Sequence, residues 1–95
     1  MSVYIIADIE IKDEAAYREY QALVPATIEM YGGKYLVRGG EATVVEGDWA
    51  TNRVVVLEFP DAETAQRWAT SPEYAPVAEI RHRAANSKAI IVEGV

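Results

Sequence analysis

Arg38 and Arg81 are the residues of this 95-residue chain best placed to hold an anion. On a helical wheel Arg81 has Tyr74, Val77, Ala78, Ala84 and Ala85 as neighbours, none of them charged. A guanidinium in that setting needs an acid, carbonyl oxygens or a bound anion, because an unpaired buried charge is very costly. Two readings stand: a structural ion pair with Asp8 or Glu58, each on a strand with apolar flanks, or a cation facing a ligand. Arg38 precedes Gly39-Gly40, where a bend can re-aim a side chain and a ligand can approach the backbone. It either contacts that ligand or supports the fold through carbonyl bonds. Asp8 and Glu58 are also the candidate proton acceptors, since burial raises a carboxylate pKa. Such a set would bind a carboxylate or enolate oxygen and move a proton, as in a cofactor-independent isomerisation, decarboxylation or oxygenation.

The other cations have simpler readings. Glu14 and Arg18, Glu63 and Arg67, and Glu79 and Arg83 are each four apart, acid first. Pairs of that kind stabilise an exposed helix by about 0.2–0.5 kcal/mol each. Arg53, beside Asn52, reads as solvated or at a dimer edge. His82 lies near a helix C-terminus, where positive charge opposes the dipole. Tyr17, Tyr20, Tyr31 and Trp68 belong to the core, yet a phenol or the indole could also wall a pocket. Trp49, in a turn, calls for cover from a second copy.

Composition excludes several other chemistries. There is no cysteine and one histidine, so neither a thiolate nor a His-rich metal site can be built, and no cofactor is implied. The net charge of -6 argues against nucleic acid and anionic membranes, which need a basic face. The longest apolar run, Val3 to Ala7, is five residues, far short of a membrane span. Without a basic start to precede that run, the chain reads as cytoplasmic. Its length fits one domain, residues 1–95.

These side chains must be positioned by a short series of elements. Val3 to Ile11 alternates and reads as a strand. Asp13 caps a helix to about Tyr31, with Tyr17, Tyr20, Val24, Ile28 and Tyr31 as its buried stripe and a kink expected at Pro25. Gly32-Gly33 ends it. Lys34 to Arg38 and Ala42 to Gly47 are strand-like, and Gly39-Gly40 between them reads as a bulge in one bent strand in preference to a hairpin. Asp48 to Asn52 turns the chain into the strand Arg53 to Phe59. A short helix follows from Pro60-Asp61 to about Thr70. Another starts at Ser71-Pro72 and runs to about Ala85, and Lys88 to Val95 closes as a strand.

The order is that of a split βαβ, ferredoxin-like α+β fold, with a four-stranded antiparallel sheet and helices on one face. Yet Ile5 and Ile6, Val54 to Leu57, and Ile90 and Ile91 are apolar on both faces. A sheet with one wet face should alternate cleanly. The chain has nothing left to cover the second face, so a second copy packed sheet to sheet is the simplest cover, giving a dimeric α+β barrel.

The segments Tyr31 to Gly40, Glu46-Gly47, Val54 to Pro60, Ser71-Pro72-Glu73-Tyr74, Arg81 and Glu93-Gly94 together resemble the domain of unknown function 1330 family. The resemblance implies a ferredoxin-like protomer in a face-to-face dimer and places Arg38 in the family's most recognisable stretch. It implies no established reaction. Relatives in the wider superfamily include small monooxygenases and isomerases, several without an organic cofactor. Three hypotheses follow. The first is an enzyme with a helix–sheet pocket, in which Arg38 and Arg81 bind, Asp8 or Glu58 moves a proton, and Tyr17, Trp68 and Tyr74 contact the ligand. The second is a non-catalytic module holding a small organic acid. The third is a dimer whose arginines only pair internally.

Overall fold

A computed structural model describes residues 1–95 and gives the order β1 (Val3–Ile11), α1 (Glu14–Met30), β2 (Lys34–Arg38), β3 (Arg53–Phe59), α2 (Ala62–Ala69), α3 (Ala75–Ala84) and β4 (Ala85–Glu93). The strands form one antiparallel sheet in the order β2-β3-β1-β4. This is the expected split βαβ arrangement. All three helices lie on one face. The molecule measures 36 × 34 × 16 Å, a slab two layers thick.

Pairing fixes what each face carries. Val3, Ile5, Ala7 and Ile9 of β1 stand opposite Phe59, Leu57, Val55 and Arg53 of β3. That parity meets the helices, and Val3, Ile9, Leu57 and Phe59 are buried against Tyr17, Tyr20, Val24 and Ile28 of α1. The opposite parity places Ile6 beside Val56 and Ile90, and Tyr4 beside Glu58 and Val92, on a face with no helix. Ile90 is 60% exposed there.

Helix ends follow local chemistry. The Asp13 carboxylate accepts from the Ala16 N–H at 3.1 Å, and Asp61 from Thr64 at 2.7 Å, each replacing a missing helical acceptor. Helix α1 closes with Gly33 N–H bonded to the Ile28 carbonyl and Gly32 N–H to that of Glu29, with Gly32 at φ 75°. That left-handed turn favours glycine. Pro25 does not interrupt α1. Its missing N–H leaves the Gln21 carbonyl without a helical donor.

Four expectations need correction. Ala42 to Gly47 is not a strand: residues 40–52 form one exposed loop. Gly39, at φ 74°, makes the last ladder bond, N–H to the Val54 carbonyl, and turns the chain off the sheet, so the β-branched residues beyond it have no edge to pair with. The bulge occurs earlier, at Leu36, between the pairs Tyr35–Leu57 and Val37–Val56. Ser71 caps a turn and α3 starts only at Ala75: its Oγ accepts from Tyr74 N–H at 3.1 Å and donates to the Trp68 carbonyl at 2.8 Å. Finally, β4 leaves α3 without a loop, because Ala85 is already extended and pairs with Ile11. Polar Asn86 and Ser87 hide that start in the sequence.

Candidate functional site

Between the helices and the sheet lies a cavity of about 370 Å³. Its floor is apolar, from Ile5, Ala7, Val55 and Leu57, and Val24 and Trp68 wall it from the helices. Three guanidiniums line it, those of Arg38, Arg53 and Arg81, and no carboxylate does.

Each arginine is held by a different element. Arg38 ends β2, its guanidinium 4.7 Å from the centre of the Tyr35 ring. Its Nη2 faces the Gln21 carbonyl at 3.5 Å, the oxygen that Pro25 frees in α1. Arg53 opens β3 at the same parity as buried Val55 and Leu57, and so points inward. Its Nη2 donates to the Arg38 carbonyl at 3.4 Å, while its Nε is buried without a partner. The φ of 74° at Gly39 favours glycine, and a Cβ there would have to push the Arg53 guanidinium aside. Arg81 projects from α3 and donates from Nη1 to Ser87 Oγ of β4 at 2.8 Å. Its Nη2 lies 3.4 Å from His82 Nε2, a ring that also lines the cavity.

Aromatic rings pack beneath these cations. Arg53 lies 5.8 Å from the Tyr17 ring centre and Arg81 5.9 Å from that of Tyr20, and the two rings are 5.5 Å apart. The Tyr20 and Tyr74 hydroxyls are within 3.2 Å of each other. Trp68 stacks on Tyr74 at 4.1 Å and donates its indole N–H to Thr27 Oγ1 at 3.1 Å. Burial, with Tyr74 adding to it, pushes the Tyr20 phenol well above its ordinary range, and burial also raises Tyr35. Both are therefore neutral hydrogen-bond donors near neutral pH and weak candidates for a base. Burial opposes the Arg81 charge, but the Tyr74 and Tyr20 oxygens outweigh it and hold the pKa above its usual value.

The two carboxylates lie elsewhere. Asp8 is on the helix-free face, where its Oδ1 accepts from the Asn52 N–H at 2.9 Å and so anchors the end of the 40–52 loop. Glu58 is on that face too, 3.3 Å from Lys34 Nζ; hydrogen bonds from Ser2 and from Lys34 hold its pKa below the usual value. The expected pairing of Asp8 or Glu58 with Arg38 or Arg81 does not form, because the sheet separates them. Nor do Glu14–Arg18, Glu63–Arg67 or Glu79–Arg83 close to ion-pair distance; the ion pairs are Lys12–Glu10 and Lys34–Glu58. Tyr31 leaves the stripe to donate to Glu73 at 2.8 Å. Tyr17, Tyr74, Trp68, Arg38 and Arg81 do line one cavity. Arg53 and Tyr35 join them there, although sequence reasoning had not singled them out for a site. The available signal was parity, since Arg53 alternates in phase with Val55, Leu57 and Phe59.

Under the loop, on the helix-free face, Asp8, Trp49, Val54, Lys88 and Ile90 line a second, more open hollow of about 720 Å³. Trp49 is 60% exposed. No helix is long and apolar enough to cross a membrane.

Comparison with known proteins gives a family and a fold. A family model described as Domain of unknown function (DUF1330) matches residues 2–95. No curated protein matches the chain. Among solved structures, the RPA0582 protein of unknown function from Rhodopseudomonas palustris superposes with a TM-score of 0.76 at 18% identity, over 99% of this chain and 82% of that one. A dimeric ferredoxin-like protein of unknown function from Jannaschia sp. CCS1 gives 0.73 at 13%, over 99% and 100%. SnoaB, a cofactor-independent oxygenase from Streptomyces nogalater, gives 0.71 at 14%, over 99% and 93%. At such identities the likeness is one of fold.

Proposed function

The chain belongs to the domain of unknown function 1330 family, and from its cavity we propose that it binds a small organic acid or carbonyl compound with an apolar body, one per protomer of a homodimer. One observation carries the reading: three guanidiniums line a mostly apolar cavity that contains no carboxylate. Internal ion pairing would have placed an acid beside them. The cations are held by a serine hydroxyl, backbone carbonyls and ring faces, which leaves their charge for a ligand. Arg38 and Arg81 each offer a guanidinium to an acid or enolate oxygen, and Tyr17, Tyr74 and Trp68 pack the apolar part of the ligand.

As an enzyme, the protein would use these cations to stabilise a developing oxyanion without an organic cofactor. SnoaB, a cofactor-independent oxygenase, gives that reading a precedent on the same fold. A second reading, binding without turnover, is favoured by the position of Asp8 and Glu58, which puts the strongest candidate bases beyond the sheet. The homodimer is supported by the apolar helix-free face and by the dimeric Jannaschia relative.

The test is a melting assay of wild type and Arg38→Ala with a panel of organic acids and carbonyl compounds. At least one compound should raise the wild-type Tm, with a smaller rise in the variant. If none shifts the wild type, the reading fails. Mass spectrometry of the incubated compound then separates turnover from binding.

A further inference from the structure

The cationic groups of the cavity are not gathered at one point. Register places Arg53, Ile9 and Ser87 in one row across β3, β1 and β4. Arg53 stands at one end of the row. Arg81, tied to Ser87 Oγ at 2.8 Å, stands at the other. Two strand steps separate the Cα atoms of Arg53 and Ser87, about 9–10 Å. Each guanidinium rests over its own ring, Arg53 over Tyr17 and Arg81 over Tyr20. Arg38, one row along, joins the Arg53 end, and its carbonyl accepts from Arg53 Nη2. Between the two ends the cavity offers Ala7 and Ile9 below and the paired tyrosine rings above.

We infer that the ligand is a dianion with an acidic group at each end of an aromatic or aliphatic middle, a compact dicarboxylate. This rests on the anion-binding reading of the same cavity and specifies it. A single carboxylate satisfies one end and leaves the other cation in an apolar cavity without a counter-charge. The Arg38 carbonyl and the Tyr17 ring hold the Arg53 guanidinium at its end of the row. Arg53 and Arg38 therefore hold one acid group and Arg81 with Ser87 the other, while the Tyr17–Tyr20 pair takes the face of the middle. The spacing of the ends sets the length of ligand accepted.

Calorimetric titration with matched pairs tests this: terephthalate against benzoate, and adipate against hexanoate. One of the diacids should bind wild type at least about tenfold more tightly than its monoacid. Arg81→Gln should weaken that diacid at least about tenfold more than it weakens the monoacid, whereas Arg83→Gln, on the exposed side of α3, should change neither. Arg53→Gln should weaken both acids, with Arg53→Lys used if circular dichroism shows that the glutamine variant does not fold. Equal affinity for diacid and monoacid, or equal losses in Arg81→Gln, overturns the dianion and leaves the anion cavity standing. Binding of neither class to wild type overturns both.

Discussion

The two faces of the sheet treat charge in opposite ways. The helix-covered face holds Arg38, Arg53 and Arg81 without one acid among the cavity residues. The bare face holds Asp8 and Glu58 with Lys34 and Lys88, set in a field of Ile6, Val54, Val56, Ile90 and Val92. On the bare face Glu58 has the opposite charge of Lys34 beside it, and Asp8 accepts a backbone N–H. On the covered face no opposite charge meets the arginines. A protein with the same residues could have paired them across one surface. Keeping them apart leaves the cavity cationic although the chain as a whole carries -6, and leaves the other face fit for association.

Substitutions at adjacent positions of β3 should show the largest contrast. Leu57→Asp places a carboxylate in the core between sheet and helices and should cost about 4 kcal/mol or more, enough to unfold the chain. Val56→Asp, one residue away on the bare face, should leave the protomer folded and dissociate the proposed homodimer. Sedimentation should then give 10.5 kDa in place of twice that mass. If Val56→Asp stays dimeric, the bare face is not the interface.

Gly39→Val comes next. It combines a positive φ with a collision against Arg53, and should cost about 1–3 kcal/mol by chemical denaturation. Gly40→Val, with open space around it and no positive φ, should be silent. Equal effects would show that Gly39 does not hold its left-handed backbone.

Arg81→Ala and Arg83→Ala should differ by less in stability and by more in ligand response. Since no acid pairs with Arg81, its loss strands no buried carboxylate, and the change should stay within about 1 kcal/mol, the scale of its bond to Ser87. Arg83→Ala should move stability by no more than about a few tenths. Only Arg81→Ala should lose stabilisation by organic acids. A loss of about 3–5 kcal/mol in Arg81→Ala would reveal an acid partner that the geometry does not contain.

The smallest effects are those of pH, and each face should own one limb. Glu58 has a folded pKa below its unfolded value, so its contribution is present above about pH 4.3 and is lost as pH falls through the folded value. Glu58→Gln should shallow the acid limb of the melting curve. Tyr20 has a folded pKa above its unfolded value. Its contribution is complete below about pH 10 and is lost as pH rises beyond it, because the unfolded chain then releases a proton the native state keeps. Tyr20→Phe should shallow the alkaline limb. An exchange of these assignments would contradict the placement of the two side chains.

Much of this contrast was legible in the residues. Period two in Val3 to Ile11 and period three to four from Tyr17 to Ile28 set the main elements, because both reflect burial against the same core. The apolar character of both faces of β3 was equally plain. What escaped was pairing. Ala42 to Gly47 has strand composition, yet Gly39 steers it away from any edge, and composition does not report whether a ladder partner exists. Asp8 and Glu58 looked like partners for the arginines because apolar flanks marked all of them as half-buried. Which face each occupies depends on the phase of its strand against the core. That same phase, applied to Arg53, would have moved it from the surface to the site.

The first strand of this domain lies in the middle of its sheet, with Ile5 beside Leu57 on one side and Ile91 on the other. Neither neighbour exists while the ribosome is making the first half of the chain. Val3 to Ile9 must therefore wait as an apolar β-prone segment with two open edges until residues far along the chain have been added. Nearly all the native pairings of that strand are distant in sequence, a topology that folds slowly compared with a helical bundle of equal length. Slowing the translation of residues 40–93 should thus raise the demand of the nascent chain for chaperones that shield extended apolar segments.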